Sequence, residues 1–125
     1  MIFGTGIDII EISRVKKLID KNKSFVNRIF TDSETEYCNK KKNYAESFAA
    51  RFSAKEAFFK AIGTGWRDRI GFSDIEVCND ELGKPELILH NLAKDFCENN
   101  NIVNINVSLS HSKDLATAIV ILETN

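Results

Sequence analysis

Residues 43–65 read Asn-Tyr-Ala-Glu-Ser-Phe-Ala-Ala-Arg-Phe-Ser-Ala-Lys-Glu-Ala-Phe-Phe-Lys-Ala-Ile-Gly-Thr-Gly. This stretch predicts a long helix over Asn43 to Ile62. Alanine is abundant, no proline interrupts, and Phe48, Phe52, Phe59 and Ile62 fall on one stripe at helical spacing. Gly63 supplies the stop, because glycine takes a left-handed cap at little cost. Whatever else the chain forms must pack against this helix.

Working outward, Ile2 to Ile10 is apolar with interspersed glycine and reads as a strand. Ser13 to Asn22 reads as a helix with Ile12, Val15, Leu18 and Ile19 as its apolar stripe. Its other face carries Arg14, Lys17 and Lys21, and Lys23 and Arg28 extend that basic character. Thr31-Asp32-Ser33-Glu34 matches a capping box and opens a short helix to about Lys40. Phe72 to Val77 reads as a strand, 79–83 as a turn, and Pro85 to Leu89 as the hairpin partner. Leu89, Leu92, Ala93 and Phe96 mark a further helix. Val103, Ile105, Val107 and Leu109 alternate as a half-buried strand, and Ala116 to Leu122 is a continuous apolar strand. Ser110 to Asp114 joins them. The expectation is one α+β domain over residues 1–125, with an antiparallel sheet packed against helices.

Composition narrows the class. The chain has 125 residues, 43% hydrophobic and 28% charged, as in an ordinary globular protein. Nine phenylalanines against two tyrosines and one tryptophan point to core packing. A net charge of −1 gives no global field for nucleic acid. Cys38, Cys78 and Cys97 are odd in number and far apart, which suggests neither a disulfide framework nor a zinc site. Free thiols fit a reducing compartment. With no basic leader and no long apolar run, the expected location is the cytoplasm, away from membranes.

A few residues stand out chemically. Asp8 lies inside an apolar strand, where a carboxylate is costly to bury unless paired or bound to metal. Glu56 is flanked by the apolar stripe of the long helix, with Lys60 one turn on. Asp8 and Glu56 sharing a hard cation, with Lys60 neutralising a phosphate, would suit magnesium chemistry. A solvent-facing strand-edge Asp and an ordinary Glu–Lys helix pair also account for these residues. Arg51 and Lys55 are i, i+4 neighbours that could grip one anion. Ser110, His111 and Ser112 offer phosphate donors, or simply turn chemistry.

Taken together the residues match a known family. Gly6-Ile7-Asp8-Ile9 with Glu11 and Arg14, Arg51-Phe52-Ser53-Ala54-Lys55-Glu56-Ala57, Lys60-Ala61-Ile62-Gly63-Thr64-Gly65, Gly83-Lys84-Pro85 and Ser108-Leu109-Ser110-His111 resemble the landmarks of the short-type 4'-phosphopantetheinyl transferases, the holo-acyl-carrier-protein synthases, in order and over nearly the whole chain. Phe52-Ser53 departs from the Trp-Ala frequent in that family, and both residues read as packing variants that touch no proposed ligand. The resemblance implies a phosphopantetheinyl-transferase-like fold and transfer of 4'-phosphopantetheine from coenzyme A to a serine of an apo acyl carrier protein, releasing adenosine 3',5'-bisphosphate, for fatty acid biosynthesis. It implies Mg2+ on Asp8 and Glu56, with Asp8, Glu56 and Lys60 catalytic. Glu56 would accept the serine proton, directly or through a water. Arg51, Lys55, Lys60, Gly63, Thr64, Gly65, Pro85, Ser110, His111 and Ser112 would hold coenzyme A. Arg14, Lys17, Lys21, Lys23 and Arg28 would dock the acidic carrier, at a site separate from the chemistry. A homotrimer with active sites between subunits is also implied.

Two other readings compete: an adaptor that docks acidic proteins through the basic helix without metal, and a metal-dependent nuclease or phosphatase. The nuclease reading lacks a second carboxylate cluster and a favourable charge.

Overall fold

The structure is a computed structural model that describes residues 1–63 and 69–125. Strand β1 (Ile2–Glu11) leads into helix α1 (Ile12–Lys21), α2 (Lys23–Ile29), α3 (Asp32–Asn39) and the long α4 (Tyr44–Ile62). The hairpin β2 (Ile75–Asn79) and β3 (Pro85–Leu89) follows, then α5 (Asn91–Asn99), β4 (Ile102–His111) and β5 (Leu115–Thr124). β1, β5 and β4 form one antiparallel sheet in that order, and the hairpin forms a second.

Local chemistry sets most boundaries. The Thr31 hydroxyl accepts from Glu34 N–H at 3.2 Å and Glu34 Oε1 accepts from Thr31 N–H at 3.0 Å, the reciprocal capping box expected. Asn22 was not expected to divide two helices. Its backbone turns extended, its N–H closes α1 on Leu18 O, and its side chain accepts from Phe25 N–H to open α2. The strand expected from Phe72 begins instead at Ile75. Gly71 and Asp74 bond each other through backbone and carboxylate, which winds Phe72–Asp74 into a 3-10 turn. Gly63 has φ 90° and ψ 167°, so it is glycine-specific backbone but not the left-handed cap predicted.

The apolar stripe expected of α4 proves too narrow a description, because the helix is buried on almost every side. β1 crosses it at backbone distance. A Cβ on Gly4 would stand 2.0 Å from Ala61 O, and one on Gly6 1.8 Å from Ala57 O. Beyond α4 lie two apolar clusters. One joins its C-terminal half to the sheet, β2 and α5; the other joins its N-terminal half to α1, α2 and α3. Phe25, Phe30, Phe48, Phe58, Phe59 and Phe96 are buried, as their abundance suggested. Burial pushes the Cys38 and Cys97 thiols up to about 11 and raises Cys78 as well.

The interior also holds an ion pair. Lys55 and Glu34 are both fully buried, with Nζ 2.7 Å from Oε1. Lys55 donates further to the carbonyls of Phe72 and Ile75, and Glu34 Oε2 accepts from Val77 N–H at 2.9 Å. Desolvation pulls the Lys55 ammonium below its ordinary value, against the pull of Glu34. Glu34→Ala strands that ammonium, and removing one partner of a buried pair costs about 3–5 kcal/mol. Urea unfolding should show a loss of that size, with Glu34→Gln in between because it keeps an acceptor for Val77 N–H. A loss under about 0.5 kcal/mol, the scale of a surface substitution, would contradict this.

Candidate active site

Asp8 lies on β1 at the level of Ala118, on the side facing α4, and its side chain is 13% exposed. Ser53 Oγ donates toward Asp8 Oδ2 at 3.0 Å, and Lys60 Nζ donates to Oδ1 at 3.1 Å. Lys60 also donates to Ile7 O at 2.9 Å, so its half-exposed ammonium is tied to the strand. Asp8 and half-buried Glu56 line the same cleft of about 490 Å3, walled by Phe52, Leu18 and Leu115. Two carboxylates facing one cleft, one of them already meeting an ammonium, are a donor set suited to a hard cation whose other ligands are phosphate oxygens and water. Among the described residues no group of three or more His, Cys, Asp or Glu stands together for a metal.

Arg14 sits on the rim of this cleft. The expectation that the basic face lies apart from the carboxylates is therefore corrected at its N-terminal end, because the first turns of α1 pack beside Asp8. Lys17 and Lys21 are exposed further along the helix. Lys23 lines a different groove, against Val26, Asn27 and Phe48, and Arg28 is exposed on α2.

A second groove, of about 330 Å3, collects Arg51, Pro85, His111, Tyr37, Glu46 and Asn79. Arg51 is 4% exposed; its guanidinium lies 4.3 Å from the centre of the Tyr37 ring and donates to Asn79 Oδ1 at 2.7 Å. Among the described residues its buried Nε has no hydrogen-bond partner. His111 Nδ1 lies 3.7 Å from Glu46 Oε2. Arg51 and Glu56 are five residues apart, which sets them about 140° apart around α4, so the two grooves open on different sides of the helix.

Several expected site residues fall elsewhere. Lys55 does not join Arg51 on an anion-binding face: it is consumed by the buried pair with Glu34, and this corrects its assignment to coenzyme A. Ser110 and His111 are the last two residues of β4, and strand alternation sends them to opposite faces, with His111 toward the Arg51 groove. Ser112 Oγ accepts from Leu115 N–H at 3.2 Å and shapes the β4–β5 turn. Gly63 is exposed at the end of α4, and Thr64 and Gly65 lie outside the described residues. Sequence reasoning passed over Tyr37, Glu46 and Asn79, which carry no motif. It also misread Ser53: read as a packing variant, this residue bonds Asp8 itself.

Comparison with known proteins shows the family. A family model described as the 4'-phosphopantetheinyl transferase superfamily matches residues 4–120. The chain is 49% identical over 124 residues to a holo-[acyl-carrier-protein] synthase of Geobacter sp. strain M21, covering 98% of this chain and 99% of that one. It also resembles a crystal structure of a holo-(acyl-carrier-protein) synthase from Bacillus anthracis in complex with CoA (3',5'-ADP), at TM-score 0.82 and 42% identity, covering 100% and 99% of the two chains. A Helicobacter pylori holo-[acyl-carrier-protein] synthase in complex with coenzyme A superposes at TM-score 0.82 and 30% identity, with 95% of this chain and 99% of that one covered.

Proposed function

The chain belongs to the 4'-phosphopantetheinyl transferase superfamily, and on that footing we propose that it transfers 4'-phosphopantetheine from coenzyme A to a serine of apo acyl carrier protein. The products are holo acyl carrier protein and adenosine 3',5'-bisphosphate, and the transfer serves fatty acid biosynthesis. We read residues 1–125 as one transferase domain acting in the cytoplasm; among the described residues no helix is long and apolar enough to cross a membrane. The observation that carries the reading is the meeting of Asp8 and Glu56 at one cleft, with Lys60 bonded to Asp8.

Phosphoryl transfer asks for neutralised charge and aligned reactants more than for covalent help. Asp8 and Glu56 would hold Mg2+, which when bound supplies charge neutralisation for the pyrophosphate oxygens. Lys60, anchored by Ile7 O and Asp8, would offer a positive charge beside Asp8 to stabilise phosphate oxygens as the bond to the leaving nucleotide breaks. Glu56 would take the proton of the attacking serine, directly or through a water. Leu18, Phe52 and Leu115 wall the cleft with apolar surface. Arg51, Pro85 and His111 would hold the nucleotide in the second groove. Arg14, Lys17 and Lys21 would steer the acidic carrier to a cleft whose rim Arg14 forms.

The separation of the two grooves supports an assembly in which one subunit's Arg51 groove completes the Asp8 cleft of another. A sheet face consistent with such an assembly is present. Away from α4, Ile7 and Ile9 are 66% and 63% exposed, and Ile7 pairs across to exposed Ile119. Apolar surface of this kind marks an association site. A homotrimer is the expected form, and light scattering at assay concentration should report three times the chain mass; a fully active monomer would refute it.

Incubation of the protein with apo carrier protein, coenzyme A and Mg2+ should add one phosphopantetheine arm to the carrier by intact mass. An adaptor, a nuclease or a phosphatase would leave the carrier mass unchanged. Asp8→Ala and Glu56→Ala should each slow transfer by about 10²–10³-fold or more while melting as the wild type does. Near-normal turnover of either variant at saturating Mg2+ would remove the metal assignment.

The docking face is best probed away from the cleft rim. Lys17→Glu with Lys21→Glu should raise the KM for the carrier and leave that for coenzyme A almost unmoved. Added salt should act likewise on the wild type, because exposed charges are screened over roughly 8–10 Å at 0.1–0.15 M. Equal changes in both KM values would return this face to a merely solvated one.

A further inference from the structure

Ser53 lies on α4 one turn before Glu56 and is 0% exposed. A hydroxyl carries one proton, and here both acceptors in reach belong to Asp8: Oδ2 at 3.0 Å and the backbone oxygen at 3.1 Å. The backbone oxygen is already served by Thr117 Oγ1 at 2.7 Å. Oδ2 has no other donor among the described residues. On the opposite side, Oδ1 meets among the described residues only the end of a long and half-exposed side chain, Lys60. The rigid constraint on the Asp8 carboxylate is therefore the serine, a short side chain fully buried on α4.

We infer that Ser53 is a positioning residue for cation binding: its hydroxyl proton fixes the Asp8 carboxylate so that Oδ1, the oxygen now facing an ammonium, is the one presented to the metal. This rests on the reading of Asp8 and Glu56 as the pair that holds Mg2+. A carboxylate free to rotate must be ordered when the ion arrives, whereas one already held by Ser53 is ordered beforehand. Alanine at this position would keep the helix but leave a largely buried carboxylate oxygen without its donor. Hydrogen bonds to metal-ligating carboxylates are worth roughly 10–100-fold in metal affinity. The lower end applies here, because Ser53 supports one of the two ligands.

The test reads metal binding without turnover. Mn2+ replaces Mg2+ as the probe, its free fraction measured by electron paramagnetic resonance, with coenzyme A present and no carrier protein. Wild type, Ser53→Ala, Ser53→Cys and Asp8→Ala are compared, and each is melted without metal. Cysteine fills the serine volume but donates poorly, so it separates donation from packing. The expected result is Mn2+ binding by the wild type that is lost in Asp8→Ala and weakened about tenfold in both Ser53 variants, each variant melting in one cooperative transition above the assay temperature. Wild-type affinity in Ser53→Ala overturns the inference. So does wild-type affinity in Ser53→Cys beside a weakened Ser53→Ala, since packing would then be the cause. Equal Mn2+ binding by wild type and Asp8→Ala would instead remove the metal reading itself, and this inference with it.

Discussion

The close crossing of β1 over α4 is the constraint on which the rest depends. The strand and the helix run in opposite directions, and their repeats nearly coincide. Two strand residues advance about 6.6–6.8 Å and four helix residues about 6.0 Å. Gly4 meets Ala61 and Gly6 meets Ala57, each close enough to exclude a side chain. The next step of the same series brings Asp8 to Ser53, where the contact changes from steric to polar. Two glycines thus set the height of the strand, and that height brings a carboxylate within hydrogen-bond reach of the helix. Lys60, one turn beyond Glu56, closes the arrangement by reaching back to Ile7 and Asp8.

This organisation explains what the sequence made legible. Periodicity identified α4, the two long strands and the β2–β3 hairpin, because each has a pattern that repeats within the element. The capping box at Thr31 was legible for the same local reason. The division at Asn22 and the turn at Phe72–Asp74 were not, since each depends on one side chain competing with regular structure. The burial of α4 on nearly all sides was also hidden: its alanines look like helix formers, and only the glycines of β1 show that they are contact surface.

The candidate site divides similarly. Asp8, Glu56 and Lys60 stood out because ionisable groups in apolar surroundings are conspicuous, and the structure sets Asp8 and Glu56 at one cleft with Lys60 bonded to Asp8. Lys55 looked like a partner of Arg51 because four-residue spacing fixes angle along a helix but says nothing of what packs above it. Glu34, far away in the chain, claims it. Ser53 was taken for filler because a serine among alanines looks small rather than polar. Tyr37, Glu46 and Asn79 surround Arg51 from separate elements, and no spacing rule links them.

The three cysteines acquire a meaning from the substrate. Coenzyme A ends in a thiol, and its oxidised, disulfide form exchanges with protein thiolates to give a mixed disulfide and release a coenzyme A thiolate. Exchange begins with a thiolate, and every thiol of this chain is pushed upward, Cys38 and Cys97 to about 11 while buried. At neutral pH they remain protonated, and those two are also out of reach. A protein that handles a sulfur-tipped molecule thus keeps its own sulfur out of the exchange, so oxidised coenzyme A has little means of capping it.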